Sequence, residues 1–121
     1  MLTQPSRDLV VVPNPHPNRV YTVEMECKEF TCLCPMTGQP DFATIRIEYQ
    51  PGLHLVELKS LKLYLWSFRN EGHYHEDVTN MILNDFVRTA KPRYVKVVGD
   101  FLIRGGITTK VTVEYRENET K

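Results

Sequence analysis

Neither sign of charge is in excess in this 121-residue chain, where fifteen lysines and arginines face fifteen aspartates and glutamates. No overall field draws it to nucleic acid or an anionic membrane, so any nucleotide it holds must be held locally. Long hydrophobic runs are missing too. No stretch approaches the roughly 20 apolar residues of a membrane span, and the first residues carry no basic region followed by an apolar core. The expected location is cytoplasmic, with no membrane partner and no direct nucleic-acid partner. Cysteine is scarce: Cys27, Cys32 and Cys34 form an odd set, which argues against a disulfide framework and leaves at least one thiol free to react. G-x-G-x-x-G after a strand and G-x-x-x-x-G-K-[ST] are both absent, which excludes a Rossmann or P-loop site. There is no internal repeat, and the length fits one domain that exposes much of its surface unless it assembles.

What is present begins with an arm. Residues 1–18 carry Pro5, Pro13, Pro15 and Pro17 among polar residues, a composition unable to order itself independently, so they are expected to drape over a domain at 19–116. A short tail, 117–121, follows. From Val20 to Cys27 the residues Tyr21, Val23, Met25 and Cys27 alternate with polar ones, which predicts a half-buried strand. Phe42 to Gln50 repeats the pattern, with Ala43, Ile45, Ile47 and Tyr49 inward, and ends at a Pro51-Gly52 turn. After an extended piece at Leu53 to Glu57, the period becomes helical through Leu61, Tyr64, Leu65 and Phe68, with Ser60 as the expected cap and Gly72 just past the end. A second helix is predicted from His75 to Ala90, stopped by Pro92. Strands at Tyr94–Phe101 and Ile107–Tyr115 close the chain, joined as a hairpin by Arg104-Gly105-Gly106. Strand, strand, helix, helix, strand, strand is an α+β order: one antiparallel sheet with helices on one face. Its long edges invite pairing into a ring of subunits that closes a barrel, with sites between subunits.

Chemistry concentrates between Phe30 and Phe42, FTCLCPMTGQPDF. Cys34 and Asp41 on a loop rich in turn formers would offer one small substrate a thiol, which attacks polarised carbon, and a carboxyl, which delivers protons. The plainer reading makes Cys34 a small buried hydrophobe and Asp41 a turn residue. The cysteines with His73 and His75 invite a zinc reading, but C-x-C is not a zinc-knuckle spacing and Cys27 faces the core, so no metal is expected and His73 reads as a solvated loop residue. Lys59 and Lys62 near a helix start suggest an anion site, beside the alternative of a solvated basic edge. Arg104 before two glycines adds a guanidinium that could clamp a phosphate. Glu76 and Asp77 either serve the helix dipole or, if Glu76 is buried, read the N–H edge of a guanine-like base.

Four blocks occur in order: CPMTGQPDF at 34–42, VELKSLKLY at 56–64, FRNEGHYHED at 68–77, and PRY followed by RGGI around Arg104. Together they resemble the short, single-module form of the NADPH-dependent 7-cyano-7-deazaguanine reductases, nitrile reductases of the tunnel fold. The resemblance spans roughly residues 20–115. It implies Cys34 as covalent nucleophile, Asp41 as proton donor and His75 as a helper. Val56, Glu57, Leu58, His75 and Glu76 would bind substrate, and Lys59, Lys62, Arg104 and Gly105 would meet NADPH. It also implies a thioimide on Cys34, two NADPH per turnover as co-substrate, a place in queuosine synthesis for tRNA, and a decamer of two pentameric rings. Two rival expectations are a tunnel-fold purine or pterin hydrolase like GTP cyclohydrolase, and a non-catalytic purine-binding module.

Overall fold

A computed structural model describes residues 2–118, so most of the tail at 117–121 lies outside the described residues. The elements are β1 (Val11–Pro13), β2 (Val23–Leu33), β3 (Pro40–Gln50), β4 (His54–Val56), α1 (Leu58–Trp66), α2 (His75–Ala90), β5 (Tyr94–Arg104) and β6 (Ile107–Arg116). Four long strands form one antiparallel sheet in the order β2-β3-β5-β6. The alternation predicted for β3 holds: Ala43, Ile45, Ile47 and Tyr49 are buried, and Val95, Val97 and Phe101 of β5 join them. α2 lays Val78, Ile82, Phe86 and Ala90 on this face. The opposite face is polar, with Arg46 bridging Glu26 and Asp100 at 2.8 Å each across three strands. Among the described residues no helix is long and apolar enough to cross a membrane.

Two strands run past their predicted ends, for one reason. The β2–β3 register goes from Cys27↔Ile45 to Phe30↔Ala43, three steps on one strand against two on the other. β5–β6 does the same from Phe101↔Thr109 to Arg104↔Ile107. Each is a bulge, and a bulge reverses which residue parity faces inward. Odd residues of β2 point inward before it, and Phe30 and Cys32 after it. The strand therefore covers Val23–Leu33 rather than Val20–Cys27, and the loop expected over 30–42 shrinks to 34–39. The β5–β6 hairpin turns on Gly105 and Gly106, both left-handed (φ 58 and 80), the backbone that a two-residue turn of this kind requires.

α1 begins one turn earlier than its predicted cap. Glu57, not Ser60, is the N-cap, its carboxylate accepting from the amides of Lys59 and Ser60 (3.0 and 2.8 Å). Ser60 is instead buried in the first turn, where its Oγ accepts from Val10 N (2.9 Å). The helix stops at Trp66, well short of Gly72, because Ser67 closes it with Oγ on the Tyr64 carbonyl. α2 matches its predicted span and ends on a left-handed Lys91 before Pro92. The arm does drape: β1 pairs with β4, Val11 opposite Val56. Beyond β1 the buried Asn14 donates to the Gly52 carbonyl (2.7 Å) and accepts from Tyr21 Oη (2.6 Å).

One close approach fixes the spacing of α2 on the sheet. A Cβ at Gly99 of β5 would lie 2.5 Å from Thr79 Oγ1 and 3.0 Å from Phe101 Cε1. Thr79 is fully buried and its hydroxyl is committed to the His75 carbonyl at 2.8 Å. Gly99→Ala is expected to destabilise the protein by about 1–3 kcal/mol through overpacking, which urea unfolding would measure.

Candidate active site

The two bulges and the first turn of α2 converge at one end of the sheet. Asp41 lies opposite Cys32 in the β2–β3 register and on the inward side of β3, buried at 7 % exposure. It is a strand residue, not the loop residue expected. A carboxyl group in such a place needs partners, and it has two. His75 Nε2 is 3.2 Å from Oδ2, and an Arg104 guanidinium nitrogen is 3.0 Å from Oδ1. The His75 ring stacks on Phe101 at 3.8 Å, nearly parallel, which fixes the imidazole plane. Arg104 also donates to Gln39 Oε1 at 2.9 Å.

Cys34 is the first residue after β2 and is partly exposed. Its amide donates to the Gln39 carbonyl and its carbonyl accepts from Gly38 N, both at 2.8 Å, so 34–39 is a closed loop. Within it the Thr37 side chain, then the amides of Met36 and Thr37, and also Arg104, donate to the sulfur and bring the thiol down to about 7. Hydrogen bonds to the charged form favour it, and a thiolate is the nucleophilic form. Cys32 behaves oppositely. Burial, and then the charges of Asp41 and Cys34, push its thiol up to about 11.

The remaining expected residues form a second group. Val56, Glu57 and Leu58 join β4 to α1, with Val56 buried and Leu58 exposed. Glu57 spends its carboxylate on the cap. Lys59 and Lys62 are exposed, and neither ammonium group has a partner among the described residues. Leu58 and Lys62 border a cavity of about 730 Å³ between β2 and α1, with Met25, Cys27, Phe30 and Trp66; Cys34 does not line it. Glu76 is exposed, not buried, in the first turn of α2. Gly105 sits at the open tip of the β5–β6 hairpin. His73 departs from the solvated reading: it is partly buried, with Nε2 2.8 Å from Glu71 and Nδ1 3.7 Å from Asp77. No three His, Cys, Asp or Glu side chains gather as metal ligands among the described residues. Thr37, Gln39 and Phe101 were not among the expected site residues, although Thr37 and Gln39 stand inside the block CPMTGQPDF.

The QueF-like protein family matches residues 40–120, more than half of the chain. An NADPH-dependent 7-cyano-7-deazaguanine reductase of Anaeromyxobacter sp. (strain K) is 64% identical over 117 residues, covering 97% of this chain and 96% of its own. The chain belongs to this reductase family. The family's reductase from Thermomicrobium roseum is 64% identical over 115 residues (95% and 90% covered), and that of Acidithiobacillus ferrooxidans 56% over 117 (97% and 83%). A crystal structure of the archaeosine synthase QueF-Like in the apo form has the same fold, with a TM-score of 0.69 at 21% identity over 78% of this chain and 91% of that one.

Because the Thr37 side chain is the largest influence holding the Cys34 thiol down, alkylation by iodoacetamide should rise with pH about a midpoint near 7. Thr37→Val should move that midpoint upward, and the rate at pH 7 should fall with it.

Proposed function

We propose that this reductase converts the nitrile of 7-cyano-7-deazaguanine to the aminomethyl group of 7-aminomethyl-7-deazaguanine, with Cys34 as the nucleophile. What supports this is that Arg104, which with His75 holds the Asp41 carboxyl, also acts on the Cys34 thiol, itself held down to about 7. The Cys34 thiolate forms a bond to the nitrile carbon as one C–N π bond breaks. Asp41 gives its proton to the nitrogen, and the product is a thioimide. The Asp41 proton is replaced from the solvated side of the site. His75, on the same carboxyl, orients it and can pass that proton on.

NADPH, when bound, supplies a hydride twice, because nitrile to primary amine takes four electrons. The unpartnered ammonium groups of Lys59 and Lys62 fit the phosphates of such a dinucleotide. Since Glu57 occupies the amides of the α1 N-terminus, the lysine side chains rather than the backbone would hold those phosphates. Arg104 and Gly105 complete this reading, with Arg104 shared between the phosphate side and Asp41. Between the two reductions Cys34 leaves as its thiolate.

Val56, Glu57, Leu58 and Glu76 bind the deazapurine in this proposal, Glu76 facing the N–H groups of the base edge. The exposure of Glu76, and of Met36, Phe42 and Tyr74 around the cysteine loop, supports a site completed by a second subunit. β2 and β6 both leave a long strand edge free, as a tunnel-fold ring would use. A homo-oligomer built as two pentameric rings would cover the site and exclude water. The reaction belongs to queuosine biosynthesis, acts on the free base, and takes place in the cytoplasm.

Incubating the protein with 7-cyano-7-deazaguanine and no NADPH should add the mass of one ligand to each chain and produce a new absorbance. Cys34→Ala should abolish both, and Asp41→Asn should slow adduct formation by roughly 10²–10⁴-fold, the usual contribution of a positioned acid. Intact-mass spectrometry showing no adduct on the parent protein would sink the covalent route.

A further inference from the structure

The N-terminal arm does more than cover the helices. Ahead of β1, Ser6 N donates to the Leu63 carbonyl of α1 at 3.2 Å, and Val10 O accepts from Glu57 N at 2.9 Å. Between these anchors Arg7 reaches beyond α1. Its guanidinium lies 3.9 Å from the centre of the buried Phe68 ring and donates to Ser67 Oγ at 2.7 Å and Glu71 Oε2 at 2.6 Å. A guanidinium stacked on an aromatic face and held by two acceptors is far better fixed than an ordinary surface pair.

Glu71 hands this restraint to the cysteine loop. Its second oxygen meets His73 Nε2 at 2.8 Å. The backbone between them runs beside the end of β2: Leu33 N donates to Glu71 O at 2.8 Å, and His73 N donates to Leu33 O at 3.0 Å. Leu33 is the residue before Cys34. On the other side, Gly72 lies against Pro35, the residue after Cys34, so closely that a Cβ there would come within 3.3 Å of Pro35 Cα. Residues 71–73 thus grip the chain immediately before and after the sulfur.

We infer that Arg7 is a positioning residue for Cys34, acting through Glu71 to clamp residues 71–73 against the cysteine loop. Its catalytic meaning rests on the reading of Cys34 as the nucleophile, but its structural content does not. The ionisable and charged groups that meet the sulfur are Cys32 from β2 and Arg104 from β5, with Asp41 of β3 and His75 of α2 reaching it only through Arg104 and Cys32. Arg7, Glu71 and His73 act only by holding the loop in which Thr37 and the amides of Met36 and Thr37 meet the sulfur.

The test is the pH profile of iodoacetamide labelling at Cys34, read by peptide mass spectrometry beside the melting temperature, for Arg7→Ala, Arg7→Lys and Glu71→Gln. This readout needs neither substrate nor NADPH, so it stands apart from the adduct experiment. Arg7→Ala and Glu71→Gln should each raise the midpoint from about 7 toward the roughly 8.5 of a free cysteine. Arg7→Lys should recover part of the shift, and the double variant should shift no further than the larger single one. If both single variants keep the parental midpoint while the melting temperature falls, the arm is a structural clamp only and the inference is wrong. Should Arg7→Ala fail to fold, Glu71→Gln decides alone, since it removes the same ion pair and leaves the arm intact.

Discussion

A carboxyl group taken out of water is tolerated only where charge or hydrogen bonds replace the water it lost, and Asp41 imposes that condition on this fold. Its partners come from opposite sides, His75 from the first turn of α2 and Arg104 from the far end of β5. Satisfying it therefore ties together the helix layer, the middle of the sheet and the hairpin tip. Phe101 under the imidazole, Gly99 under Thr79 and the bulge that swings Arg104 inward all serve that meeting. Gln39, bound to the same guanidinium, links the arrangement to the loop that carries Cys34.

Much of the architecture could be read from periodicity. β3 and α2 fall where alternation and helical spacing indicate, because in each the pattern is continuous over its length, and the last hairpin turns on the two glycines that marked it. The predicted strands at Val20–Cys27 and Tyr94–Phe101 stopped at Cys27 and Phe101, which are the residues where the register shifts. An inserted residue reverses the parity, so an alternation rule ends the strand at the bulge. Asp41 was read as a loop residue because the predicted strand began at Phe42. Extending the β3 alternation back by one step, from Ala43 to Asp41, would have placed the carboxyl inward on a strand. Ser60 looked like a cap because its chemistry suits one, while Glu57 three residues earlier already supplied the acceptor.

The site residues divide between what local sequence specifies and what only tertiary structure can. Cys34, Asp41, His75 and Arg104 stand in three separate blocks, and no spacing rule relates them; the antiparallel register and the seating of α2 bring them together. The exposed Glu76, Lys59 and Lys62 show the complementary case, side chains without a partner among the described residues.

Two sulfurs separated by one leucine have been given opposite characters. The deeper one is kept protonated by its surroundings and the outer one is eased toward its anion, so near neutral pH an electrophile entering this region meets a single reactive atom. The same asymmetry decides where harm falls: peroxide prefers the anion, so of these two sulfurs the outer one, proposed above as the nucleophile, would be oxidised first.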